Sequence, residues 1–301
     1  MARTPSAVKG YLSPKPPWLR RRLPSGPAYE QMRRFLADRG LHTVCQEARC
    51  PNIWECFSKK TATFLILGNR CTRNCRFCAV GRGTPLPLDP GEPSRVADAV
   101  KETGLEYAVI TSVTRDDIGD GGAGLFADTI KILKKEIPKI GVEVLTPDFR
   151  GDLNALNRVI STGPDVFNHN IETVPRLYPS ARPQADYQRS LDVLKAARHQ
   201  NPGITTKSGI MAGLGEEEKE LEEVFEDLLA AGCSILTIGQ YLQPALDSLT
   251  VKRFIPPEEF REMKTKALAM GFDAVESGPF VRSSYNAKEL FRESMRQRFS
   301  G

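Results

Sequence analysis

Residues 62–78 read Ala62-Thr-Phe-Leu-Ile-Leu67-Gly-Asn-Arg-Cys71-Thr-Arg-Asn-Cys75-Arg-Phe77-Cys78, an apolar run followed by three cysteines on one loop. The run has the length of a buried parallel strand. It is the first of six, the others being Tyr107–Thr111, Val142–Leu145, Val166–Ile171, Ile204–Met211 and Ile235–Tyr241. Helical patterns separate them. Phe126, Ile130, Leu133 and Ile137 recur at spacings of four, three and four. Leu221, Val224, Phe225, Leu228 and Leu229 repeat the pattern before Gly232, and Phe260, Met263, Ala267 and Met270 before Gly271. Helices also fit Arg95–Thr103, Leu153–Thr162 and Tyr187–His199. Strict strand–helix alternation implies parallel strands joined by crossover helices. Six units rather than eight predict an α/β fold of the incomplete (β/α)6 TIM-like barrel kind, with N-terminal and C-terminal extensions. A doubly wound open sheet is the alternative, and periodicity does not separate the two.

The barrel is expected over 62–275. Residues 1–61 form an N-terminal extension with three cysteines, and 276–301 a tail with Arg282-Ser-Ser-Tyr285 ahead of a basic helix. Neither appendage has enough apolar residues to fold alone. The 301 residues, 40% hydrophobic and 26% charged, are an ordinary globular mix that fits one domain. No apolar run reaches the roughly 18 residues that would span a bilayer, so no membrane association is expected. A net charge of +5 is an ordinary surface excess and gives no reason to expect a nucleic-acid partner. The first 29 residues lack Asp and Glu and carry Arg20, Arg21 and Arg22, as an organelle transit peptide would. Lys15-Pro-Pro-Trp-Leu-Arg20 is broken by proline, however, and cannot form the helix such peptides use. A solvated arm packed on the body of a cytoplasmic protein is the expectation.

Six of the seven cysteines fall between Cys45 and Cys78. In a chain of this length with no secretory apolar segment, such clustering points to metal rather than disulfides. Cys71-x3-Cys75-x2-Cys78 follows the first strand, at the end where barrel folds place their active sites. Three thiolates on one loop grip three corners of a cubane iron–sulfur cluster and leave the fourth iron open to a ligand. A zinc site is the alternative. Zinc ribbons use CxxC pairs closed by a fourth Cys or His, and here the spacing differs and no His is adjacent. The upstream trio, Cys45-x4-Cys50-x5-Cys56, is weak taken alone, and three core cysteines would read the same way. Cys233 reads as a buried inert thiol, and His42 and His199 as structural.

The first trio, with Phe77 just before its third cysteine, resembles the radical S-adenosylmethionine (SAM) superfamily. The two trios in succession resemble the lipoyl synthase family in particular, and the resemblance runs over nearly the whole chain. It covers Leu41-His-Thr-Val-Cys45-Gln-Glu-Ala-Arg-Cys50-Pro-Asn52, Phe64-Leu-Ile-Leu-Gly68, Thr111-Ser-Val-Thr-Arg-Asp-Asp117 and Asp120-Gly-Gly-Ala123. It continues in Asn168-His-Asn-Ile-Glu-Thr173, Arg176-Leu-Tyr-Pro179, Lys207-Ser-Gly-Ile-Met-Ala-Gly-Leu-Gly-Glu216, Thr237-Ile-Gly-Gln-Tyr-Leu-Gln-Pro244 and Arg282-Ser-Ser-Tyr285. Trp54 and Phe57 depart from the pattern, which bears on local packing and not on the chemistry. The segments fall at the C-terminal ends of predicted strands and would converge on one mouth.

The resemblance implies a sulfurtransferase with two 4Fe–4S clusters and SAM as co-substrate. A cluster on Cys71, Cys75 and Cys78 would cleave SAM to a 5′-deoxyadenosyl radical. That radical would take hydrogen from C6, and then from C8, of an octanoyl chain on a lysine of a carrier protein. The sulfur would come from the second cluster, on Cys45, Cys50 and Cys56, which is consumed. Implied partners are octanoylated lipoyl carrier domains (the 2-oxoacid dehydrogenase E2 and the glycine cleavage H protein), an electron donor such as ferredoxin or flavodoxin, and an iron–sulfur carrier protein. Other radical SAM sulfur-inserting enzymes, of the biotin synthase or methylthiotransferase kind, share the first trio but not its pairing with the second trio and the tail motif. A non-catalytic iron–sulfur module would not need six loaded loops.

Arg115, Asn170, Glu172 and Lys207 stand at strand ends as candidates to hold SAM, with Phe77 of the cysteine loop beside them and Gly209 and Gly213 letting backbone approach it. Each polar one has an ordinary structural hydrogen bond as its alternative, and so has His169. Three cysteines leave the second cluster one ligand short, and Ser284 matches the family position where serine binds that iron. A hydrogen-bonded turn at Ser283 and Ser284 is the alternative.

Overall fold

Thr63–Ile66 and Ile235–Gln240 are buried along their whole length, the pattern of strands covered on both faces. The computed structural model describes residues 15–20, 27–48, 50, 52 and 62–300. Cys56 lies outside the described residues. The helices and strands, in chain order, are α1 (Pro27–Asp38), β1 (His42–Thr43), α2 (Val44–Glu47), β2 (Thr63–Ile66), β3 (Arg70–Cys71), β4 (Gly81–Arg82) and α3 (Glu92–Thr103). Then come β5 (Tyr107–Ser112), α4 (Ala123–Glu136), β6 (Gly141–Leu145), α5 (Leu153–Ile160), β7 (Val166–Asn168), α6 (Tyr178–Ala181), α7 (Tyr187–Gln200) and β8 (Thr205–Ala212). The chain closes with α8 (Glu218–Ala230), β9 (Ile235–Gln240), α9 (Pro257–Met270), β10 (Ala274–Gly278) and α10 (Ala287–Ser300).

One eight-stranded sheet runs in the order β1-β2-β5-β6-β7-β8-β9-β10. All neighbours pair in parallel except β1, which pairs antiparallel with β2. Its two edges, β1 and β10, do not pair with each other, so the barrel is open. The helices bury one apolar stripe each. In α4 that stripe is Phe126, Ala127, Ile130 and Leu133, all at 0% exposure. Asp152 and Asp186 cap α5 and α7 by accepting from the first-turn amides of Asn154 and Arg189.

The six expected strands are present, and the sequence reading missed a seventh parallel strand. β10 contains only Ala274 and Val275 as apolar residues before turning polar, so it lacks the run that marks a buried strand. It also spans the residue-275 boundary expected between barrel and tail.

Helix α10 closes the end of the barrel opposite the cysteine loop. Ala287 and Phe291 pack on Tyr107 and Val109, and Leu290 packs on Ile235 and Ala274. Tyr107, Ile235 and Ala274 open β5, β9 and β10, so α10 lies across the N-terminal ends of the strands. Between β10 and α10 the chain passes over the sheet. Asn52 Nδ2 donates to the Phe280 carbonyl at 2.6 Å, and Thr63 Oγ1 donates to Ser284 Oγ at 2.8 Å. Gly239 is required here, because a Cβ would meet the carbonyl of Val281.

Candidate active site

The loop that carries Cys71, Cys75 and Cys78 is fastened on several sides. Thr72 donates its amide and its hydroxyl to the Thr114 carbonyl beyond β5, at 3.1 and 3.0 Å. Arg73 forms a fork to Asp116 at 2.7 and 2.9 Å, and a second to Asp148 at 3.0 and 2.6 Å. The amide of Arg76 donates to the Ala181 carbonyl, and its own carbonyl accepts from Leu249. A charge-assisted, two-point guanidinium pair fixes orientation as well as distance. The loop is thereby held by groups following β5, β6, β7 and β9.

Two sulfurs on this loop accept backbone amides, Cys71 Sγ from Arg73 at 3.4 Å and Cys78 Sγ from Val80 at 3.5 Å. Burial pushes the thiols of Cys75 and Cys78 up to about 11 and about 12. Arg182 and Arg73 oppose the shift at Cys75, and the Val80 amide opposes it at Cys78. The thiolate a metal needs is thus costly in this loop by itself, and the positive charge of a bound metal would offset that cost. Among the described residues, no three His, Cys, Asp or Glu side chains converge where one metal ion could sit.

Cys71, Cys75 and Cys78 line one cavity of about 570 Å³, and Cys45 and Cys50 line the same cavity. Phe77, Asn170, Glu172, Gly209 and Ser284 are on its wall as well. Several of its polar atoms are buried with no hydrogen-bond partner: Ser112 Oγ, Thr146 Oγ1, His169 Nε2, Asn170 Oδ1 and Arg182 Nε. Buried polar groups are nearly always paired. Such a set on one cavity wall fits a polar co-substrate that completes the pairing, and the cysteine loop fits a cluster with one open corner.

Asn170 and Glu172 meet side by side, with Asn170 Nδ2 donating to Glu172 Oε1 at 3.1 Å. Glu172 adopts φ +68°, a left-handed conformation unusual for a residue with a side chain, which costs on the order of 1–3 kcal/mol. It is held there by β8, since its amide donates to the Gly209 carbonyl and its carbonyl accepts from Met211, both at 2.9 Å. Burial raises its carboxyl, with Arg182 and Asn170 opposing the rise. His169 donates from Nδ1 to the Thr146 carbonyl at 2.9 Å. Burial and the charge of Arg182 lower its imidazole to about 4, so it is neutral with Nε2 bare.

Three sequence candidates are placed elsewhere. Lys207 is sealed inside the barrel at 0% exposure, and its Nζ donates to Glu143 at 2.9 and 3.2 Å. Tyr107 and Asn168 donate to the same carboxylate. Lys207 therefore neutralises a buried acid and is absent from the cavity wall. Arg115 is spent on Asp117 and on the Leu67 carbonyl, and it too is off the wall. Gly213, at φ +102°, makes room for Gln240 and the Arg253 carbonyl rather than for a ligand. A residue's position at a strand end did not reveal which way its side chain turns. Conversely, Arg73, Thr146, Asp148 and Arg182 line the cavity and were not singled out in the sequence. Arg73 lies between two of the cysteines, which was the one available signal.

Comparison with known proteins agrees with this geometry. Residues 65–228 match the Radical SAM superfamily, and residues 7–50 match the N-terminal domain of lipoyl synthase of the Radical SAM family. The lipoyl synthase of Rubrobacter xylanophilus is 56% identical over 94% of this chain and 88% of that protein. That of Desulfotalea psychrophila is 57% identical over 93% and 94%. Methylornithine synthase has a similar fold (TM-score 0.51, 16% identity, 71% of this chain and 70% of that one). A maturase of the FeFe hydrogenase, HydG, is as close in fold (TM-score 0.51, 15% identity, 74% and 58%). Fold and cysteine loop together define a radical SAM enzyme, with the 4Fe–4S cluster and SAM that this superfamily uses. Within that class, the chain belongs to the lipoyl synthase family. Among the described residues, no helix is long and apolar enough to cross a membrane.

Proposed function

We propose that this chain makes the lipoyl group by inserting sulfur at C6 and C8 of an octanoyl chain held in amide linkage to a lysine of a lipoyl carrier domain. The observation that carries the reading is the shared cavity. Cys45 and Cys50 of one trio line it together with Cys71, Cys75 and Cys78 of the other. When bound and reduced, a 4Fe–4S cluster on Cys71, Cys75 and Cys78 supplies the electron that splits SAM into methionine and a 5′-deoxyadenosyl radical. Asn170 and Glu172 hold SAM against that corner, and Phe77 and Gly209 shape the wall around it. Burial of the cavity excludes water from a radical that attacks carbon indiscriminately. Cys45, Cys50 and Cys56, with Ser284 as fourth ligand, carry the second 4Fe–4S cluster, which is a sulfur-donating substrate.

In this reading 1–61 is the extension that brings the donor, 62–275 the radical SAM barrel, and 276–301 the tail that closes over the donor. The carriers served are the E2 component of 2-oxoacid dehydrogenases and the glycine cleavage H protein. Ferredoxin or flavodoxin supplies electrons, an iron–sulfur carrier protein rebuilds the donor, and the setting is the cytoplasm. The test is a pair of triple variants compared after anaerobic reconstitution. Replacing Cys71, Cys75 and Cys78 by Ala should halve the iron from about eight per chain and abolish deoxyadenosine formation. Replacing Cys45, Cys50 and Cys56 should halve the iron equally, leave deoxyadenosine formation intact, and stop sulfur insertion. Lipoyl product from the second variant would reject the donor assignment.

A further inference from the structure

The tail places two adjacent serines on two different partners. Ser284 Oγ accepts from Thr63 at the start of β2, beside the N-terminal extension. Ser283 Oγ turns the other way and accepts from Asn170 Nδ2 at 2.6 Å. Asn170 Nδ2 has two hydrogens, and the second goes to Glu172 Oε1. Both amide hydrogens are therefore committed, and the orientation of the side chain is fixed. Its other end, Oδ1, is buried on the cavity wall with no partner. The pair exists because residue 209 is glycine: a Cβ there would lie 2.9 Å from Asn170 Oδ1 and 3.2 Å from Ser283 Oγ.

We propose that Ser283 is a positioning residue for the co-substrate, acting through Asn170. By taking one hydrogen of the amide, it holds the side chain in the plane that turns Oδ1 toward the cavity, while the carboxylate of Glu172, which when ionised can only accept, opposes the flip that would present a donor there. The inference rests on the reading that Asn170 contacts SAM, and it goes beyond it. The tail that reaches the donor end of the site through Ser284 also sets the SAM end through Ser283, so a chain whose tail is undocked binds SAM less well.

The test is SAM binding by anaerobic equilibrium dialysis of the reconstituted protein without reductant, so that no turnover intervenes. Ser283→Ala should raise the SAM dissociation constant roughly fivefold, the size of one net hydrogen bond, with iron content unchanged. Asn170→Ala should raise it at least as much. The double variant should be no worse than Asn170→Ala alone, because Ser283 acts only through that amide. A structural role for Ser283 would make the two effects add, and additivity overturns the proposal. So does an unchanged constant in Ser283→Ala when Asn170→Ala binds weakly. An unchanged constant in Asn170→Ala instead rejects the underlying assignment of Asn170.

Discussion

Arg73 and Asp148 are joined at two points, Nη1 to Oδ2 at 3.0 Å and Nη2 to Oδ1 at 2.6 Å, with both side chains almost sealed from solvent. The pair ties the cysteine loop after β2 to the loop after β6. Removing one partner of a buried pair costs about 3–5 kcal/mol where the other is left uncompensated, and since Asp148 also meets Arg189 at 3.3 Å the lower end of that range applies here. Arg73→Met should therefore lower stability by that order in chemical denaturation and reduce iron retained after anaerobic desalting. Arg73→Lys should not restore retention, because an ammonium cannot span Asp116 and Asp148 with a planar fork. Full retention in either variant would show that the pair does not hold the loop.

Acid should destabilise the chain in a window set by His169. Its folded value, about 4, lies below the ordinary histidine value near 6.5. Between these values the unfolded chain binds a proton that the folded chain refuses, so stability falls as pH drops from about 6.5 to 4. The loss is on the order of 3 kcal/mol. Asp148 acts lower down. Burial would raise it, but Arg73 overcomes burial and leaves it at about 2, so its contribution is lost only as pH falls from about 4 toward 2. Denaturation of the cluster-free chain at pH 7, 5 and 4 measures the first window, and His169→Gln should flatten it.

Lys207 and Glu143 should behave as a buried pair and not as a ligand site. Lys207→Met alone leaves a buried carboxylate and should cost about 3–5 kcal/mol, whereas Lys207→Met with Glu143→Leu should cost less than the single change. SAM affinity of the folded protein should be unaltered in the double variant. A large loss of affinity would return Lys207 to the list of SAM contacts.

Thiol chemistry gives an independent check on the loop. With Cys75 and Cys78 raised to about 11 and 12 by burial, little thiolate exists near pH 8. Alkylation of these two in the cluster-free chain should be roughly 10–100-fold slower than that of a free cysteine, even after allowing for their higher intrinsic nucleophilicity. The rate should climb with pH, which mass spectrometry of the digested protein would follow.

The barrel was legible because its first strands, β2 and β5, are mostly apolar and alternate with helical patterns, and β10 was not because only Ala274 and Val275 in it are apolar. The cysteine loop was legible from spacing. What the sequence did not reveal was direction. Lys207 and Gly209 are two residues apart on β8. Lys207 is locked to Glu143 inside the barrel and is off the cavity wall, whereas Gly209 is on it. Spacing along a strand does not say at which depth a ligand will sit. Nor did any motif mark Arg182, which donates to the carbonyls of Asn170 and Ile171 and so supports the loop after β7.

The contact between Thr63 and Ser284 joins positions 221 residues apart. On a ribosome adding ~5–20 residues per second, the second partner follows the first by roughly 10–40 s. By the end of that interval the nascent chain has its cysteine loop and all of its sheet but has only just gained the two serines, and α10, which lies across the other end of the barrel, still follows them. Order of synthesis therefore withholds the finished pocket until residue 284 has been made, and a product that stops short of Ser283 would retain the iron-binding loop and lack the parts that complete it.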